Sequence, residues 1–151
     1  MAITASGLYV TSVIKMWDGN DVVFDWTNDT IKAALYTNSI TPNFSSDVGY
    51  GASPYTSNEI ANGNGYTTGG KDLASKTVTE SPTGTVMWDC ADLAWTASTF
   101  SAVRGMFVYD DTIASKRGII FVNFGADYAV TSGTFTVQIA ATGLFTHDVT
   151  P

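Results

Sequence analysis

From Thr77 to Thr146 the chain is a run of short segments in which apolar and polar residues alternate, each closed by glycine, proline or small polar residues. An alternation of period two puts every second side chain on one face of a pleated strand, so this half of the chain can fold only as packed β-structure. Thr77-Val78-Thr79 is one such segment, and in Thr85 to Cys90 the residues Val86, Trp88 and Cys90 share a face. Ala91-Asp92 breaks the phase and Leu93 and Trp95 resume it, which predicts a bulge or bend. Val103, Gly105, Phe107 and Tyr109 are in phase, and the nearly all-apolar run from Gly118 to Phe124 reads as a central strand covered on both faces. Asp110 to Arg117 reads as a polar hairpin loop with Asp110 and Asp111 solvated, and residues 125–133 as another turn. Phe135, Val137 and Ile139 point inward in the next strand, and Gly143 to Thr146 is the last.

The first half is less regular. Residues 1–7, small and uncharged, read as an N-terminal arm. Val10, Val13, Ile14 and Trp17 follow the spacing of one helical face, ended by Asp18-Gly19-Asn20. Val22 to Trp26 reads as a short strand, and Ile31 to Thr37 as a strand with Ile31, Ala33 and Leu35 on its single buried face. Residues 38–58 form a long irregular connection whose aromatics, Phe44, Tyr50 and Tyr55, imply that it folds down onto something. Eight strands separated by turn signals predict an all-β fold: a jelly-roll-like β-sandwich with at most a short N-terminal helix, with residues 8–151 as a single domain behind the arm.

Between these halves lies Glu59-Ile60-Ala61-Asn62-Gly63-Asn64-Gly65-Tyr66-Thr67-Thr68-Gly69-Gly70, read as an ordered loop. Gly65, Gly69 and Gly70 are its structural positions, set where the backbone turns to positive φ or packs closely. Gly65 to Lys71 also fits the first seven positions of a phosphate-binding loop, but Asp72 stands where the magnesium-binding hydroxyl belongs and a strand follows where a helix is required. A structural loop is the better reading.

A net charge of −7 disfavours nucleic acid and acidic membrane surfaces as partners. Cys90 is the only cysteine and His147 the only histidine, too few for a thiolate cluster or a histidine zinc site, and no catalytic Cys–His pair is expected. The Asp18-Gly19-Asn20-Asp21 turn lacks the spacing and closing glutamate of a calcium loop. No catalytic, cofactor or metal residues are assigned. Trp88 and Trp95 read as core. Phe44, Tyr50, Tyr55 and Tyr66 sit in loops, where an aromatic with or without a polar tip either pins its own loop or contacts a partner; they are the candidate partner-contact residues.

Asp29-Thr30-Ile31-Lys32, then Glu59, then Gly65-Tyr66-Thr67-Thr68-Gly69-Gly70, then Gly133-Thr134-Phe135-Thr136 form a pattern that resembles small virion structural proteins of tailed bacteriophages, over about residues 8–146. Members of that family are head decoration or tail-associated proteins with a glycine-tyrosine-threonine-x-glycine-glycine motif. The resemblance implies a non-enzymatic virion protein without a cofactor. It implies a capsid decoration (cement) protein binding the major capsid protein of the assembled head, as a homotrimer. The alternative is a tail or fibre component, including a receptor- or carbohydrate-binding module.

Overall fold

In a computed structural model of the chain, the described residues are 2–18, 24–82 and 84–149, with the backbone alone for Trp17 and Asp18. The elements in order are β1 (Gly7–Leu8), α1 (Val10–Asp18), β2 (Ile31–Thr37), β3 (Lys71–Asp72), β4 (Thr77–Glu80), β5 (Thr85–Asp89), β6 (Leu93–Asp110), β7 (Gly118–Val137) and β8 (Phe145–Asp148). They make two antiparallel sheets, a five-stranded one in the order β1-β7-β6-β2-β3 and a three-stranded one in the order β4-β5-β8. The fold is an all-β sandwich with a short N-terminal helix; this strand order does not establish a jelly-roll winding.

The core between the sheets follows the predicted phases of β2 and of Leu93 and Trp95. The expected phase of Val103, Gly105, Phe107 and Tyr109 is corrected: a register shift after Val103 puts it in this core with Met106 and Val108 and turns Phe107 and Tyr109 to the other face. Ile31, Ala33 and Leu35 of β2 join Leu93, Trp95, Val103, Met106 and Val108 of β6, with Trp88 and Phe145 of the smaller sheet packed against them. The expectation of one buried face on β2 is corrected, because Ala34 and Tyr36 on its other face are buried too. They belong to a second core with Ile3, Tyr9, Ile40, Tyr55, Phe107, Tyr109 and Phe121. The 38–58 connection supplies the cover. Tyr55 stacks on Phe107 with ring centroids 4.0 Å apart, and Tyr50 stacks on Tyr109 at 4.6 Å.

Residues 2–7, expected to stand apart as an arm, lie along the large sheet. Ile3 is 2% exposed, and its amide donates to Asn38 Oδ1 at 2.8 Å. The Asn123 amide donates to Ser6 Oγ at 2.8 Å, and Gly7 and Leu8 pair with Phe121 and Ile120.

The helix forms where its spacing predicts but turns its other side inward. Tyr9 and Ser12 are buried, with the Ser12 hydroxyl donating to the Gly118 carbonyl, while Val10 and Ile14 are 47% and 56% exposed. Two more hydrogen bonds fix that orientation: the Val10 amide to the Phe44 carbonyl at 2.8 Å and the Thr11 hydroxyl to the Asp47 carbonyl at 2.9 Å. Of the expected 22–26 strand, Val22 and Val23 lie outside the described residues, and Phe24 to Trp26 run irregularly into a turn. The Asp18–Asp21 turn likewise falls outside, apart from the helix end.

Two predicted breaks take a different form from the one expected. β6 and β7 span 18 and 20 residues and form one long hairpin. The turn expected at 125–133 is taken up by bulges. Phe124 to Asp127 loop out between the pairs Gly105↔Asn123 and Val103↔Tyr128, with Gly125 at φ 78° and Ser132 at φ 48°. The break at Ala91-Asp92 is larger than a bulge: the chain leaves the small sheet after Asp89 and enters the large one at Leu93.

Candidate functional site

The glycine-rich loop is built on Glu59. Its Oε1 accepts hydrogen bonds from the Tyr66 hydroxyl and the Gly69 amide, both at 2.7 Å, and its Oε2 accepts one from the Tyr50 hydroxyl at 2.8 Å. The Leu35 amide donates back to Tyr66 Oη at 2.9 Å, and the Tyr109 hydroxyl donates to the Gly69 carbonyl at 2.8 Å. One carboxylate therefore joins the glycine loop to the 38–58 connection and to β2. Gly65, Gly69 and Gly70 have φ of 84°, 93° and 80°. At Gly70 a Cβ would lie 1.9 Å from the Ala33 carbonyl oxygen, and at Gly65 2.5 Å from Ser98 Oγ. Both glycines are required by close approach as well as by φ.

This placement decides the role of the loop aromatics. Tyr55 and Tyr66 are each 2% exposed, and Phe44 and Tyr50 are half-buried against the second core. All four pin their own loops, and Tyr55 and Tyr66 offer a partner no surface. The correction has a physical cause: each hydroxyl has an internal partner, so its ring can be buried without stranding a polar group. Tyr55 reaches the Asp47 carboxylate at 3.2 Å and also meets the Tyr9 hydroxyl. Burial raises the Asp47 carboxyl above its ordinary value, against the opposing pull of the Asn43 amide and Tyr55.

The surface left over lies at the other end. Between α1 and the small sheet is a cleft of about 650 Å³. Met16 and Val13 line one side, Val78, Val86, Trp88 and Phe145 the other, and Ile31 and Ile119 are among the residues of the large sheet that line it. Trp88 and Phe145 stack at 4.8 Å, and Trp26 meets Phe145 edge-on at 6.0 Å. His147 also lines this cleft. Next to it the outward side of α1 presents Val10 and Ile14, while Met16, 45% exposed, lies on the side of the helix that faces the cleft. Of the stripe that helical spacing predicts, Val10 and Ile14 are exposed and Val13 turns toward the cleft, a direction set by the hydrogen bonds on the helix's polar side.

Other candidates are not assembled into sites. Lys71, the last residue of the phosphate-loop match, starts β3 and donates to the Ala94 carbonyl, and Asp72 pairs with Lys32 in the sheet. Cys90 is buried; burial first, then Asp89 and Asp92, pushes its thiol up to about 11. His147 pairs opposite Val86, at the far end of β5 from Cys90. Among the described residues no group of three or more His, Cys, Asp or Glu is placed to hold a metal ion, and no helix is long and apolar enough to cross a membrane. Asp110, read as a solvated acid, is fully buried because the 30–31 and 112–113 segments close over the end of β6; Asp111 is partly buried and paired with Lys32 and Lys116, each at 2.8 Å. Comparison with family models, curated proteins and solved structures finds no match to the chain.

Proposed function

We propose that the chain is a capsid decoration protein of a tailed bacteriophage, binding the major capsid protein of the assembled head. The observation that carries this reading is the exposed apolar side of α1, Val10 and Ile14, next to an apolar cleft that Met16 lines from the same helix. Exposed apolar side chains beside an apolar cleft are the kind of surface that binds another molecule. The loop aromatics, by contrast, are used up in rigidifying the domain, so α1 and the cleft replace them as the attachment surface. The polar, negatively charged remainder of the chain suits a part that stays soluble until it docks.

The test is co-sedimentation of the purified protein with empty heads and, separately, with isolated tails of the phage that encodes it. The protein pellets with heads, and Ile14→Asp weakens pelleting while leaving the circular dichroism spectrum unchanged. Pelleting with tails or with host cells instead would transfer the reading to a tail or fibre component.

A further inference from the structure

Asp110 ends β6 and pairs across the sheet with Ile31 at the start of β2. The strands are stitched together just beyond that pair: the Asp111 amide donates to the Thr30 carbonyl at 2.8 Å, and the Thr30 amide to Thr112 Oγ1 at 2.7 Å. This brings the Asp29 side chain, from the turn before β2, against that of Asp110. The Asp110 side chain is wholly buried. One carboxyl oxygen, Oδ1, accepts the Thr112 amide at 2.8 Å, and the Ile113 amide is also close to the carboxyl. The other, Oδ2, is buried with no hydrogen-bond donor. Two nearby cations are engaged elsewhere: Lys32 and Lys116 both hold Asp111 at 2.8 Å. The Arg117 backbone carbonyl accepts the Asp110 amide at 3.0 Å, and the Arg117 Nε, buried too, makes no hydrogen bond to the Asp110 carboxyl. Asp29 is itself anchored, its Oδ2 accepting the Asp25 amide at 2.8 Å.

A buried carboxylate oxygen without a donor, facing a second carboxylate, is stabilised by a proton placed between them. A divalent cation would need about six to eight oxygen ligands. Two carboxylates, one of them wholly buried, do not supply that shell.

We propose that Asp29 and Asp110 share one proton and form a clasp between the start of β2 and the end of β6 that is closed in mild acid and strained above neutrality. The electrostatics agree with the geometry. Burial, followed by the adjacent Asp29 carboxylate, raises the Asp110 carboxyl to about 6, in spite of the Thr112 and Ile113 amides, which pull it down. Because the folded value lies above the unfolded one, the clasp's contribution is complete at low pH and is lost as pH rises through about 6.

The test compares equilibrium unfolding of the full chain and of Asp110→Asn across pH. For the unmodified chain the unfolding constant rises about tenfold more between pH 5 and pH 8 than for Asp110→Asn. In that variant a carboxamide donates permanently to Asp29. Every other ionisable group is present in both proteins and cancels in the difference. Should Asp110→Asn fail to fold, Asp29→Asn, which removes the neighbouring charge but leaves Asp110 buried, gives a partly flattened profile. Carbon-detected NMR of the Asp110 carboxyl shows the titration directly. A midpoint in the ordinary carboxylate range, or identical pH profiles for the unmodified chain and variant, overturns the proposal. So does a melting temperature raised by calcium in the unmodified chain and not in the variant, which would make the pair a cation site.

Discussion

The Glu59 carboxylate and the Tyr66 hydroxyl are 2.7 Å apart, and that contact ties the glycine-rich loop to the strand it crosses. Tyr66 takes the Leu35 amide at the same oxygen, so the backbone of β2, the loop and the acid are one hydrogen-bonded unit. Replacing Glu59 by Ala strands two tyrosine hydroxyls and the Gly69 amide. Hydrogen bonds to a charged group and the penalty for orphaned buried donors together give a loss of about 3 kcal/mol. Urea unfolding of Glu59→Ala measures it, and Glu59→Gln, which keeps two acceptor sites on one oxygen, loses less.

The glycines of the same loop are unequal. A Cβ at Gly70 would meet the Ala33 carbonyl at 1.9 Å, whereas at Gly69 the nearest atom, Tyr109 Oη, is 3.5 Å away. Gly69→Ala therefore carries only the cost of its positive φ, about 1 kcal/mol. Gly70→Ala adds backbone displacement and loses about 3 kcal/mol or more. Thermal melts of the two variants rank them, and equal melting temperatures would show that Gly70 does not pack as described.

Much of this was legible in the sequence, and the exceptions share a cause. Ile31, Ala33, Leu35, Phe135 and Val137 announced their strands because period two survives any tertiary context. The second core did not announce itself. Whether Ala34 and Tyr36 are covered depends on where the 38–58 connection goes, and its irregular backbone carries no period. The turn residues Gly125 and Ser132 were visible, but bulges and turns use the same positive-φ chemistry, so composition could not tell a reversal from a kink inside β7. Asp110 resembles any hairpin acid until the 30–31 and 112–113 segments close over it. Glu59 stood out as part of the motif, yet its role needs Tyr50 and Tyr66 brought together from opposite sides.

Six of the seven tyrosines, Tyr9, Tyr36, Tyr50, Tyr55, Tyr66 and Tyr109, have hydroxyls raised well above the ordinary phenol value, in each case mainly by burial. Their contribution to stability is complete below the unfolded value of about 10 and is lost as pH rises above it. In alkaline titration the phenolate absorbance of these six rises together with the loss of the circular dichroism signal. A gradual rise with the fold intact would show that the loop aromatics are solvent-accessible.

The central claim is the site of attachment, and a density map of the intact phage particle tests it most directly. This all-β domain is expected at repeated positions on the head shell, with α1 and the cleft beside it facing the major capsid protein. Density for the domain on the tail or fibres, or its absence from the particle, would contradict it.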